Sequence, residues 1–297
     1  MKNVLSIHRG GEAHAVGDIY PVRSIFSYRE LGRELSPFLL LDHAGPTEFE
    51  PSAQPRGADW HPHRGFETVT TVYDGELDHE DTAGNRGSIG PGDVQWMTAG
   101  GGVMHKEYHS PGYTRRGGRF EVLQLWVNLP AQSKMSAPRY QTLLARDIPV
   151  VSLPDVGGSV RVIAGEFDGK KGPAQTFTPI NLLDVRLHAG RRLQLNLRDG
   201  YTGALFVLKG GVKVNDDEAA RETELVVFER GGDEVVIEAT SDAAIFVMNG
   251  EPIDEPIVGH GPFVMNTSEQ IEKAFADFNN GRFGRVRAGT NKGVIPA

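Results

Sequence analysis

The residues of this chain best suited to hold a metal ion lie in two short strings, His61-Pro62-His63 and, 42 residues beyond His63, His105-Lys106-Glu107. In an extended segment, side chains two apart point to the same side, so both members of each pair can reach one centre. Pro62 disfavours helix and stiffens the first pair. If the two segments lie on facing strands, three neutral imidazoles and one carboxylate surround a point. That donor set suits Fe, Mn, Ni, Co, Cu or Zn better than Ca or Mg. Four protein ligands on an octahedral ion leave two positions for a substrate or dioxygen, as in a catalytic site. A lone His-x-His could equally be a surface loop beside a solvated glutamate; the second pair makes metal binding the preferred reading. There is no cysteine, so thiolate ligands, thiol nucleophiles and disulfides are excluded.

Other groups are weighed against blander roles. His79-Glu-Asp81 looks like a further metal pair, but it follows the Asp74-Gly75 turn and is read as structural, on a barrel rim. His109, two residues past Glu107, could share its face, although Ser110-Pro-Gly112 makes a turn there the simpler expectation. Arg64 could steer an anion or pair with an acid. Phe66, Trp96 and Trp126 are expected in the core. Gly100-Gly101-Gly102 lets the backbone bend before His105. A phosphate loop is disfavoured there, because no helix opening on Lys-Ser/Thr follows.

The elements that must position these residues read as strands. The chain has 297 residues with 37 Gly and 18 Pro, enough for two modest domains rich in turns. Apolar, β-branched runs cover 66–73, 122–128, 193–197, 204–208, 224–228, 234–239 and 243–248, with Gly, Asp or Asn in the gaps, as in an all-β sandwich or barrel. The Pro-rich stretch 130–159 reads as the connection between halves, with a short helix around 141–146. The expected domains are 1–135, binding metal, and 136–297. A weak echo links Thr71-Val-Tyr-Asp-Gly75 to Phe206-Val-Leu-Lys-Gly210. The same shift carries His61, His63 and His105 to Asn196, Arg198 and Thr240, so the second half is expected to lack a ligand set. One helix is expected at about 268–280. Thr267 and Gln270 have capping-box spacing, Ile271, Ala274, Phe275 and Phe278 form an apolar stripe, and Gly281 is a stop signal.

With 31 basic and 39 acidic residues the formal charge is −8, which argues against direct nucleic-acid binding. The basic tail from Gly281, with Arg282, Arg285, Arg287 and Lys292, is read as a solvated terminus. No apolar leader or membrane span is visible, so a cytoplasmic location is expected, and a monomer is the simplest assumption.

Gly57, His61, His63, Glu67 and Gly75 resemble the first cupin motif; Gly92, Gly100 and His105 loosely resemble the second, with Thr98 where proline is usual. The strings His61-Pro-His-Arg-Gly-Phe-Glu-Thr68, Gly92-Asp-Val-Gln-Trp-Met-Thr-Ala-Gly100, Leu125-Trp-Val-Asn-Leu129 and Gly261-Pro-Phe-Val-Met-Asn-Thr267 resemble the pirin family in particular. This resemblance implies two tandem cupin, jelly-roll-like β-barrels with a C-terminal helix. It implies one mononuclear divalent metal, Fe(II) first in order, held by His61, His63, His105 and Glu107, with no metal in the second cupin. Glu67 stands where general cupin sites keep their carboxylate, a role that Glu107 takes here. Pirins also resemble flavonol (quercetin 2,3-) dioxygenases, which implies a flavonol-like substrate and dioxygen, ring opening with loss of carbon monoxide, and Glu107 as the base. The alternative it implies is a regulator that binds a transcription factor or metabolic enzyme in a metal- or redox-dependent way.

Overall fold

The computed structural model describes residues 1–286; Arg287 and Lys292 of the basic tail lie outside them. The first strands are β1 Val4–Arg9, β2 His14–Val16, β3 Ile19–Ser27, β4 Phe38–Phe49, β5 Gly57–His63, β6 Phe66–Asp74, β7 Leu77–Asp81, β8 Arg86–Ile89 and β9 Val94–Thr98. Next come β10 Val103–His109, β11 Gly118–Asn128, β12 Arg139–Leu143, β13 Val150–Ser152, β14 Gly158–Ala164 and the hairpin β15 Glu166–Phe167 with β16 Lys170–Lys171. The rest are β17 Ile180–Leu187, β18 Arg192–Asn196, β19 Thr202–Lys209, β20 Gly211–Val214, β21 Glu218–Arg221, β22 Glu224–Phe228, β23 Glu234–Ala239, β24 Ala243–Gly250, β25 Val258–His260 and β26 Phe263–Met265. The α-helices are α1 Tyr28–Leu31, α2 Pro111–Arg116 and α3 Ser268–Asn279. The all-β expectation holds, as tandem cupin-type barrels with a C-terminal helix.

The chain forms two compact units. One joins Met1–Gly11, Ile25–Phe38 and Arg146–Pro252; the other joins Glu12–Ser24, Leu39–Ala145 and Ile253–Ala297. These are not the linear halves 1–135 and 136–297. The N-terminal strand β1 pairs with β22 in the first unit. Helix α3 belongs with the strands that carry His61 and His105, because Ile271 and Ala274 pack with Phe263, Met265 and Phe283 of that unit. Its capping box is present: Thr267 accepts from the Gln270 amide while Gln270 accepts from the Thr267 amide.

Each unit is a seven-stranded sheet and a four-stranded sheet, and the orders correspond. The His-bearing unit has β12-β9-β6-β11-β4-β3-β2 and β5-β10-β7-β8. The other has β1-β22-β19-β24-β17-β14-β13 and β18-β23-β20-β21. Strand β12 runs where a short helix was expected at 141–146. Its backbone pairs with β9, Leu143 opposite Val94, and only a 3₁₀ turn, Ala145–Asp147, follows. An edge strand takes its conformation from its neighbour, so local propensity alone misleads.

Matching the two orders sets β6 against β19, whose ends carry the sequence echo, and β5, β7 and β10 against β18, β20 and β23. Aligning Gly75 with Gly210 puts His79 against Val214. Because Glu107 lies opposite His79 and Ile237 lies opposite Val214, Glu107 corresponds to Ile237 and His105 to Val235. His61 lies opposite His105, and Leu195 opposite Val235, so His61 corresponds to Leu195 and His63 to Leu197. The equivalents are therefore not Asn196, Arg198 and Thr240. A β-bulge between His105 and Glu107 shifts the β5 pairing by one residue, and the stretch from Leu197 to Val235 is four residues shorter than that from His63 to His105, neither of which a constant offset can follow.

Candidate metal centre

Strand β10 lies between β5 and β7, so β5 and β10 are hydrogen-bonded neighbours rather than facing strands. Along β10 the buried residues Val103, His105, Glu107 and His109 alternate with the more open Met104, Lys106 and Tyr108. This is the period of two of a half-buried strand. Gly65, just after His63 and Arg64, has φ +90°, and a Cβ there would sit 1.9 Å from the Val264 carbonyl oxygen. Gly102, at φ +125°, leaves room for the Phe283 ring. Only glycine permits both approaches.

His61, His63 and His105 converge. Their ring centroids are 4.2 to 4.9 Å apart, and one ligand nitrogen from each lies within 4.8 Å of the others. His61 Nδ1 donates to the Asp59 carbonyl at 2.7 Å and His63 Nδ1 donates to the Pro262 carbonyl at 3.4 Å. A carbonyl only accepts, so each ring keeps its lone pair on Nε2. The buried Nε2 atoms of His63 and His105 have no hydrogen-bond partner. Such orphans cost about 1–3 kcal/mol each, and a metal ion bound between them would relieve that cost. Burial, reinforced by the neighbouring imidazoles, pushes His63 and His105 well below the usual histidine range; burial lowers His61 too. Neutral rings are the form a metal needs. The residues present therefore fit a first-row metal ion.

Glu107 is buried beside this triad but in a second group, with His79 and His105. Its carboxylate accepts from Gln95 Nε2, from Thr70 Oγ1 at 3.1 Å and from Gln124 Nε2 at 2.7 Å. These three partners have no spacing signature in the sequence. His79 and Asp81, read as a barrel rim, are instead buried, with His79 Nδ1 3.5 Å from His105 Nδ1.

The remaining candidates go elsewhere. Glu67 is buried and accepts from Thr98 Oγ1 at 2.6 Å; burial pushes its carboxyl up to about 7. His109 is enclosed by Phe49, Tyr113 and Phe120, and burial lowers it to about 4. Arg64 pairs with Asp277 of α3 at 2.9 Å, donates to the Gly101 carbonyl at 2.8 Å and stacks on Phe283. It is thus a structural clamp. Trp96 and Phe66 are in the core as expected, and Phe66 and Trp126 stack behind His63.

A pocket opens inside the same unit, with about 500 Å³ of empty space counted to its mouth. Its walls are largely apolar, including Ile19, Val22, Leu77 and Phe120, and Glu107 and Gln124 are among its polar groups.

Two cupin barrels, one carrying a buried cluster of imidazoles and a carboxylate, place this chain among the bicupins. Profiles for the pirin domain and the pirin C-terminal cupin domain match residues 20–127 and 182–284. The chain belongs to the pirin family. A Pseudomonas aeruginosa protein provisionally named quercetin 2,3-dioxygenase is 53% identical over 286 residues, 96% of this chain and 100% of its own length. Human pirin is 40% identical over 278 residues, 90% of this chain and 91% of its own. The crystal structure of an Acinetobacter baumannii quercetin 2,3-dioxygenase superposes with a TM-score of 0.94 at 48% identity, covering 96% of this chain and 99% of that one. No helix among the described residues is long and apolar enough to cross a membrane.

Proposed function

We propose that this chain is a metal-dependent dioxygenase acting on flavonol-like substrates, with His61, His63, His105 and Glu107 holding one divalent ion, Fe(II) first in order and Mn, Ni, Co, Cu or Zn as alternatives. The observation that carries this reading is the convergence of three imidazoles, with Nδ1 of His61 and of His63 taken up by backbone carbonyls and Nε2 of His63 and of His105 buried without a hydrogen-bond partner. The names of the Pseudomonas and Acinetobacter relatives support the substrate class.

When bound, the metal supplies a Lewis-acid contact for the substrate oxygen and a path for electrons between the flavonol and dioxygen. The histidines, neutral through burial, keep the ligand nitrogens unprotonated. Glu107 belongs both to the imidazole neighbourhood and to the pocket wall. In this reading its carboxylate takes the 3-hydroxyl proton, leaving the electron-rich anion that reacts with dioxygen. Gln95, Gln124 and Thr70 hold that carboxylate by donating to it. The largely apolar walls suit flat aromatic rings. The reaction takes up one dioxygen, opens the central ring and releases carbon monoxide.

The test is elemental analysis of protein purified without added metal, followed by a flavonol assay in air. Loss of the flavonol's visible absorbance with release of carbon monoxide is expected. Absence of turnover with Fe, Mn, Ni, Co and Cu would overturn the proposal.

A further inference from the structure

We infer that His79 and Asp81 are positioning residues for His105, forming a hydrogen-bonded chain that fixes its ring so that Nε2, and not Nδ1, meets the ion. This rests on the proposal above that His105 is a ligand.

Strand β7 places both groups. Asp81 lies opposite His105 and His79 opposite Glu107 in the β7–β10 pairing. Both side chains are wholly buried. Asp81 is held first: the Asn85 backbone N–H donates to Oδ1 at 2.9 Å and Asn85 Nδ2 donates to Oδ2 at 2.8 Å. His79 Nε2 lies 3.3 Å from Asp81 Oδ2. A carboxylate only accepts, so the proton of a neutral His79 belongs on Nε2, and its Nδ1 presents a lone pair. That lone pair faces His105 Nδ1 at 3.5 Å. His105 then carries its proton on Nδ1 and turns Nε2, the buried atom without a hydrogen-bond partner, inward.

Two comparisons strengthen the inference. His61 and His63 reach the same tautomer by donating to backbone carbonyls, so His105 is the ligand whose outer partner is a side chain. In the other unit the equivalents of His105 and His79 are Val235 and Val214, so the supporting imidazole is absent where the ligand is. Tyr140 adds rigidity. Its ring stacks on His79 at 4.5 Å and 18°, and its hydroxyl donates to Gln95 Oε1 at 3.0 Å, while Gln95 holds Glu107. One tyrosine thereby links the supports of His105 and Glu107. Partners of this kind around a ligand affect metal affinity by roughly 10–100-fold.

The test uses Zn(II) as the probe on the full-length protein stripped by chelation. Competition titration gives the affinity, X-ray absorption counts imidazole ligands, and ¹⁵N-histidine NMR reads the tautomer of His105. His79→Phe keeps a ring against Tyr140 but removes both nitrogens; Asp81→Asn removes the anion; His79→Gln keeps a donor and an acceptor. The expected losses are roughly 10–100-fold for His79→Phe and about tenfold for Asp81→Asn, with His79→Gln within about threefold of the wild type. Nδ1 of His105 should be protonated in the wild-type zinc form. Affinities of His79→Phe and Asp81→Asn within about twofold of the wild type, with only the metal-free melting temperature lowered, would reduce the pair to packing and overturn the inference. Four imidazole ligands instead of three in the wild-type zinc form would overturn it differently, by making His79 itself a ligand. If His79→Phe does not fold, Asp81→Asn and the wild-type NMR decide. Wild-type protein that binds no Zn(II) would refute the metal site itself, and this inference with it. Normal wild-type binding with unaffected variants would refute this inference alone.

Discussion

The two units of this protein share a strand order and differ in what lines corresponding positions. In one, β5, β10 and β7 carry His61, His63, His105, Glu107 and His79. In the other, β18 with the residue after it, β23 and β20 carry Leu195, Leu197, Val235, Ile237 and Val214, all part of one hydrophobic core. The same scaffold thus accepts either solution. Its aliphatic version is self-sufficient, since each buried side chain contributes about 1.5–3 kcal/mol without needing a partner. Its polar version is not. Buried imidazoles and a carboxylate need outer partners, and the His-bearing unit supplies them from Gln95, Gln124, Thr70, Asp81 and the Pro262 carbonyl. The lesson is that the site belongs to side chains laid over a duplicated frame.

The largest effect should come from making one unit resemble the other. His105→Val, which installs the residue of the aliphatic unit, should cut metal affinity by at least roughly 100-fold while changing the stability of the metal-free protein by less than about 1 kcal/mol, because it removes one orphaned nitrogen and leaves another, Nδ1 of His79, without its partner. Equilibrium dialysis and denaturant unfolding check both halves. Undiminished metal binding would break the comparison.

The reverse exchange, Leu195→His, should bring a penalty without a gain. An imidazole placed among Leu193, Val235 and Ile237 lacks the outer partners found opposite, so a loss of about 3 kcal/mol is expected in urea unfolding, with no second equivalent of metal. A second bound ion would show that the outer partners matter less than the comparison holds.

A smaller and pH-dependent effect is expected at Glu67. Its folded carboxyl, at about 7, is raised above the ordinary value of 4.5 by burial. A raised carboxyl binds its proton more tightly when folded, so its contribution is intact below pH 4.5 and is lost as the pH climbs through 7. Glu67→Gln mimics the protonated form and keeps an acceptor for Thr98. It should match the wild type at pH 4 and exceed it by about 3 kcal/mol at pH 8. A constant difference across that range would contradict the assignment.

The smallest effect concerns the helix that belongs with the His-bearing unit. Thr267→Ala removes one half of the capping box and should cost about 1 kcal/mol in thermal unfolding, with metal affinity unchanged.

Much of this was legible in the sequence. The strands over 224–228 and 234–239 coincide with β22 and β23, because β-branched runs bounded by turn residues have little alternative. The helix after Thr267 was legible from cap spacing and one apolar stripe. The convergence of His61, His63 and His105 was legible because a period of two survives any arrangement of strands. What escaped depends on pairing between distant strands. His79 looked peripheral because its position opposite Glu107 is set by β7–β10 register, which local spacing does not encode. The bulge at His105 and Glu107 likewise hid the equivalence of His61 with Leu195. Gln95, Gln124 and Thr70 are ordinary strand residues until folding brings them onto one carboxylate. The assignment of α3 was misjudged because Arg64 and Asp277, though 213 residues apart, form a buried pair.

The most direct test of the central claim is a crystal of the protein grown after metal loading, with anomalous diffraction collected at the metal's absorption edge. One peak is predicted, among the Nε2 atoms of His61, His63 and His105 and within reach of Glu107, with no peak among Leu195, Leu197 and Val235. Metal-replete crystals with no peak there, or with Glu107 still turned wholly to Gln95 and Gln124 beside an ion bound elsewhere, would contradict it.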